Sequence, residues 1–220
     1  RIEKQFPPTA TEVLSETQYL HKNAADSPET GLLLVEREQG RMLERLPLYI
    51  DAVREETEGK RESPATYHDA FVEISGKINA TLSEISRLGL NTSSSDELIR
   101  VTKMQEQLRR FEEMVFQLAT QMSRKDISAR ARELGNVIME SADFIMLAAI
   151  DAIRSREEGE IDTLEILTQD RSELMTKMRH NYFNSEMELA EADRNFVLDV
   201  TILFENVIQI LARYGVLLKS

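Results

Sequence analysis

The chain has 220 residues and a net charge of −12, and a field of that sign repels phosphate backbones, so we expect no nucleic-acid partner. The absence of cysteine excludes disulfides, thiolate catalysis and cysteine-ligated metals. Eight Gly and five Pro are few for a chain rich in Leu, Glu, Ala, Arg and Met, and this composition predicts an all-α protein.

Residues 1–26 are weakly patterned and contain the adjacent Pro7 and Pro8. Such a segment is typical of a tether that lies along a domain surface. The first residue is Arg rather than Met, and we expect that a further portion of the protein precedes it.

Two helices are predicted to begin at Ser-Pro pairs. Ser27 can cap the first helix and Pro28 suits its first position, while Pro47 should kink or interrupt this helix. Ser63 and Pro64 repeat the pair before the second helix, whose apolar side chains recur at helical spacing.

Four more helices are predicted in the rest of the chain. Ser94 and Glu97 have the spacing of a capping box before the third helix. The fourth, fifth and sixth helices are predicted over 131–155, 161–183 and 188–215. About six long helices are therefore expected.

Three helices followed by three more indicate a duplication. The third and sixth helices support it, because "FEEMVFQLA" (111–119) aligns without a gap with "FENVIQILA" (204–212). The predicted organisation is two tandem three-helix-bundle repeats, at 27–124 and 125–220, that follow the tether.

The last helix contains "VTILFENVIQILARY" (200–214), which is almost apolar enough to enter a membrane. A membrane span would carry Asp199, Glu205 and Arg213 at depth, where ionisable groups are unfavourable by several kcal/mol. A core helix with a narrow polar strip is the favoured interpretation, and we expect no membrane insertion of this chain.

Catalytic motifs are not evident in the sequence. No glycine pair has the spacing of a phosphate-binding loop. The three histidines lack the Glu-x-x-His spacing of di-iron bundles and are interpreted as surface or boundary residues, and the serine run at 93–95 is interpreted as capping. We expect neither an enzyme nor a cofactor, and the acidic residues along the helices have the default interpretation of a solvated face.

Three stretches, at 28–53, 151–182 and 203–214, resemble the PhoU fold. The likeness is closer to the PhoU-like cytoplasmic domain at the C-terminal end of bacterial sodium/phosphate cotransporter family proteins. With the linking helices it covers nearly the whole chain from about Thr11.

In PhoU proteins the third helix of each repeat carries an acid, three intervening residues and an Asp, which can hold metal clusters. Here Glu112 and Glu205 match the first acid, while Phe116 and Gln209 stand where the Asp would be. The resemblance therefore implies a degenerate site at which no metal is expected. Its candidate residues are Glu112, Glu113, Glu205 and Gln209.

The resemblance further implies a regulatory or assembly domain on the cytoplasmic face of the bacterial inner membrane. Its partner would be the membrane transporter portion of the same chain, and a homodimer is a possible assembly. The alternative is a free-standing PhoU-type regulator that binds a transporter or a sensor kinase. A carboxylate metalloenzyme is a third hypothesis, from another class.

Overall fold

The computed structural model describes residues 8–54, 62–184 and 189–219. Within these ranges the chain forms helices and no strand, which confirms the predicted all-α class. Pro7, in the predicted tether, and residue 188, at the predicted start of the sixth helix, lie outside the described residues. The helices are α1 (Ala10–Leu14), α2 (Pro28–Leu43), α3 (Pro47–Arg54), α4 (Pro64–Ile85), α5 (Thr92–Met122), α6 (Ala129–Ser155), α7 (Glu158–Leu167), α8 (Ser172–Phe183) and α9 (Glu191–Lys219).

Local signals define the first helices as the sequence predicts. Ser27 caps α2 and accepts from the Thr30 amide, and Ser63 caps α4 in the same way. A proline occupies the start of each of these helices, where no amide donor is needed. The predicted interruption at Pro47 is confirmed, since α2 ends at Leu43 and α3 begins at Pro47.

The predicted capping box of the third helix is wrong. The helix begins earlier, because the Asn91 side chain accepts from the Ser94 amide at 2.8 Å. The Ser94 hydroxyl instead donates to Glu29 on α2 at 2.8 Å. Asn and Ser are similarly good N-caps, so the sequence does not distinguish the two starts.

The predicted continuous fifth helix is also wrong, because the chain forms α7 and α8 with a break between them. The Thr168 hydroxyl donates back to the Leu164 carbonyl at 2.8 Å at the end of α7. Asp170 then accepts from the Ser172 amide at 2.9 Å as α8 begins. Side chains of this kind compete with helical backbone bonds and favour helix ends.

Residues 8–26, within the predicted tether, contain the short helix α1, which contacts α4. Thr9 and Glu12 form a capping box at its start. Of residues 8–26, only Ser15 and Ala24 are buried, so most of this segment covers the bundle from outside and only Ala24 adds buried apolar surface.

Helix–helix contacts fall into two groups. In the first, α2, α4 and α5 contact one another, and α3 packs on α4 and α5. In the second, α6, α7 and α9 contact one another, and α8 packs on α9. The most extensive contact among the described helices joins α5 of the first group to α9 of the second. The duplication and its boundaries stay a prediction.

Helix α9 is the one described helix that is long and apolar enough to cross a membrane, by length and composition alone. Its most apolar 18-residue window has a mean hydropathy of 1.5, and 56% of that window is buried inside the protein. Core helices pass the same test, and contacts with α5, α6, α7 and α8 place α9 among them.

Gly135 lies where α6 packs closely against side chains of α5 and α9. A Cβ built there would lie 2.6 Å from Met122 Sδ and 2.7 Å from the Phe196 ring. We expect Gly135→Ala to lower the free energy of unfolding by about 1–3 kcal/mol, because overpacking forces buried side chains to move.

The matched control is Gly76→Ala. Gly76 is exposed within α4 and has open space where its Cβ would be. Alanine there should raise the free energy of unfolding by about 0.5–1 kcal/mol, through helix propensity alone. Denaturant unfolding checks both variants, and equal stability changes of the same sign would contradict the close approach at Gly135.

Candidate acidic sites on α5 and α9

The first site centres on Glu112 of α5, which is 1% exposed to solvent. One of its carboxylate oxygens, Oε1, accepts from the Tyr49 hydroxyl at 2.6 Å. The same oxygen lies 2.9 Å from Nδ1 of His68 on α4. Three helices, α3, α4 and α5, therefore converge on one buried carboxylate.

Phe116 forms the wall of this site. Its ring is stacked on His68 with centroids 4.2 Å apart, and the Tyr49 ring meets its edge at 6.4 Å. Phe116 thus supplies apolar surface that holds the histidine ring.

Glu113 is adjacent, and its carboxylate accepts from Gln117 at 2.7 Å. One ligand atom each from His68, Glu112 and Glu113 lie within 4.8 Å of one another, close enough that this group could hold a metal ion. The chemistry of the group is one imidazole and two carboxylates, which suits transition metals.

Burial raises the pKa of Glu112 above its ordinary range, and the hydrogen bonds from Tyr49 and His68 oppose that rise. Burial, together with the nearby Glu112 charge, also raises the pKa of Tyr49. The phenol therefore stays a proton donor to the carboxylate. The hydrogen bonds offset only part of the unfavourable burial of the carboxylate.

The second site centres on Glu205 of α9, which pairs with Arg179 of α8. The carboxylate-to-guanidinium distance is 3.1 Å, and both side chains are 19% exposed. Arg179 also donates to the Thr201 hydroxyl at 3.1 Å. Gln209 and Glu205 line one cavity of 340 Å³ between α9 and residues 168–172, where α7 gives way to α8.

The structure thus brings Glu112 and Glu113 together in one site, and Glu205 and Gln209 in another. Sequence reasoning missed His68 and Arg179. His68 precedes Glu112 by 44 residues and Arg179 precedes Glu205 by 26, so no local spacing connects either pair. The interpretation of His68 as a boundary residue is confirmed by its intermediate burial, and its bond to the central acid comes in addition.

Comparisons with protein-family models, with characterised proteins and with solved structures find no match to this chain.

We expect no tightly bound metal at either site. A cation at the first site would have to share Glu112 with Tyr49 and His68, and a cation at the second would have to displace Arg179 from Glu205. Elemental analysis after extensive dialysis should find no stoichiometric iron, zinc or manganese. A stoichiometric metal that is lost in His68→Ala would contradict this prediction and locate the ion.

A designed variant tests whether the second site has lost its ligands. Gln209→Asp adds a second carboxylate, and Arg179→Met removes the competing cation. The double variant should bind Mn²⁺ or Zn²⁺ more tightly than either single variant, because a hard or borderline cation needs several oxygen ligands to replace its water. Titration calorimetry of the four proteins makes the comparison, and equal affinities would oppose it.

Proposed function

We propose that the chain is a cytoplasmic regulatory or assembly domain of a sodium-dependent phosphate cotransporter-like membrane protein, and that it does not itself transport. The observation that carries the proposal is that both principal acids already have partners within the chain itself. Glu112 accepts from Tyr49 and lies beside His68, and Glu205 pairs with Arg179. Acids whose oxygens are already occupied by the chain's own side chains suit a structural or regulatory role rather than a catalytic one.

The helical architecture supports the same proposal. The α5–α9 contact joins two groups of helices, as the resemblance to a PhoU-like domain leads one to expect. Its partner would be the membrane transporter portion of the same chain. Val137, Phe144 and Leu147 are exposed apolar residues on α6, and they support a homodimer as a further assembly.

The coding sequence that precedes Arg1 gives the first test. We expect several hydrophobic stretches of about 20 residues each upstream of this chain. A protease-protection assay on membrane vesicles should then place residues 8–219 on the cytoplasmic side. An upstream region without such stretches would favour the free-standing PhoU-type regulator.

One observation favours a metal-dependent function as the second candidate. His68, Glu112 and Glu113 lie close enough together to share a cation. Micromolar binding of Mn²⁺, Fe²⁺ or Zn²⁺ that disappears in both His68→Ala and Glu113→Gln would support it. Retained binding in these variants would show that the metal binds elsewhere, and would contradict a metal-dependent function of this group.

A further inference from the structure

The main chain of residues 14–19 is held by charged side chains of the first helical group. Glu38 of α2 is fully buried, and its Oε2 atom accepts from the Gln18 amide at 3.0 Å and the Tyr19 amide at 2.9 Å. Arg41, one turn along α2, pairs with the other oxygen of Glu38. A buried carboxylate is thus satisfied by two consecutive backbone amides and one guanidinium.

Three consecutive carbonyls of the same segment meet three cations. Arg45 donates to the Leu14 carbonyl. Lys77 of α4 donates to the Ser15 carbonyl at 2.8 Å, and Arg41 donates to the Glu16 carbonyl at 2.7 Å. These contacts are to main-chain atoms, and a side-chain hydrogen bond between Ser15 and Glu73 of α4 is added to them, so this recognition depends mainly on backbone shape.

Side chains of the segment contribute less. Helix α1 has no buried residue. The Leu14 side chain is half-buried and lines a small cavity of about 10 Å³ together with residues of α2, α3 and α4, among them Tyr49. The segment therefore adds little apolar burial to the folded state.

We propose that the surface of α2 and α4 around Glu38 is a docking surface for the chain's own residues 14–19, and that this segment is released and rebound as a unit while the bundle stays folded. Of residues 14–19 only Ser15 is buried, and hydrogen bonds to charged groups hold the segment. Segments with few buried apolar contacts open at lower free energy than the core does.

Release has a defined consequence for the buried acid on α5. Leu14 lines a cavity together with Tyr49, whose hydroxyl donates to Glu112 at 2.6 Å. When the segment leaves, water gains access to the Tyr49 side of that site. The position of residues 14–19 is therefore linked to the environment of Glu112, whatever the cellular role of the chain.

Hydrogen exchange of the whole chain, followed by NMR or mass spectrometry, tests the proposal. The Gln18 and Tyr19 amides should be protected, yet should exchange at least about tenfold faster than core amides of α9. Glu38→Ala should accelerate the exchange of these two amides at least about tenfold, with α5 and α9 amides unchanged within about twofold. Lys77→Met should also accelerate the exchange of these two amides, but to a smaller degree. This variant removes a partly exposed charge and leaves the buried Glu38 in place.

Glu44→Ala is the matched control, because Glu44 follows α2 and its carboxylate pairs with Arg154 rather than with the segment. In Glu44→Ala the Gln18 and Tyr19 amides should exchange at the same rate as in the unaltered protein. Unchanged exchange in both Glu38→Ala and Lys77→Met would overturn the proposal. An equal acceleration at α5 and α9 would also overturn it, because the segment would then open only with the whole bundle.

A spin label reports release directly. The chain has no cysteine, so Val13→Cys, at an exposed position of α1, can be labelled selectively. The mobile fraction of the electron paramagnetic resonance spectrum should increase when Glu38→Ala is added. An unchanged spectrum together with unchanged exchange would mean that Glu38 does not hold the segment.

Discussion

Replacing Phe196 with alanine should lower the free energy of unfolding by about 3–5 kcal/mol, the usual range for removing a large aromatic side chain from a packed core. Phe196 lies in α9 and is 0% exposed. Its ring occupies the space beside Gly135 of α6, so alanine would leave a cavity at a junction of helices. Chemical denaturation of the purified chain gives the measurement.

Phe144→Ala is the control for this prediction, because it removes the same side chain from a residue that is 61% exposed on α6. Surface substitutions usually change stability by about 0.5 kcal/mol or less. A small effect of Phe196→Ala, or a large effect of Phe144→Ala, would mean that α9 does not lie in the core as described.

Glu112→Ala should lower the free energy of unfolding by about 2–4 kcal/mol. The change creates a cavity and removes the acceptor of the buried Tyr49 hydroxyl, and an unpaired buried polar group is unfavourable. Glu112→Gln keeps an oxygen acceptor and should differ from the unaltered protein by about 1 kcal/mol or less at neutral pH. Equal losses for the two variants would show that an amide oxygen does not replace the carboxylate as the acceptor of the Tyr49 hydroxyl.

The difference in the free energy of unfolding between the unaltered protein and Glu112→Gln should depend on pH, and its sign can be stated. Burial raises the pKa of Glu112 in the folded protein above the ordinary value of 4.5. The folded state then binds a proton that the unfolded state has released, so this contribution to stability is full below 4.5 and declines as the pH rises through the folded-state pKa. Glu112→Gln removes this decline, and its stability relative to the unaltered protein should increase from pH 4 to pH 8. A difference that does not change with pH would contradict the raised pKa.

Much of the fold could be predicted from local sequence signals. The Ser-Pro pairs at 27–28 and 63–64 define two helix starts, and Pro47 separates α2 from α3. These signals act through a cap and a missing amide donor, which depend on neighbouring residues alone. The break between α7 and α8 was missed because Thr168 acts through its side-chain hydroxyl, and threonine also occurs within continuous helices.

The acidic sites were predictable only in part. Glu112 and Glu205 were singled out because they match the first acid of the PhoU motif, yet their partners come from other helices. His68 reaches Glu112 because α4 packs against α5, and Arg179 reaches Glu205 because α8 packs against α9. Such pairs depend on helix packing, which no spacing along the chain specifies.

The docking of residues 14–19 was unpredictable for a different reason. Glu38, Arg41 and Lys77 contact main-chain atoms of the segment, and every residue offers the same backbone groups. The segment's own sequence therefore carries no signature of the contact. In the sequence Glu38 resembles any exposed helical acid, although the structure buries it completely.

The most direct test of a regulatory domain on a transporter is the uptake of radiolabelled phosphate by cells that express the whole protein or a form ending before residue 27. Both forms should be present in the membrane at equal amounts, as shown by immunoblotting. We expect sodium-dependent uptake by both forms, with an altered dependence on external phosphate when the domain is absent. Identical uptake curves would contradict a regulatory role, and the absence of sodium-dependent uptake by the whole protein would contradict the link to phosphate transport.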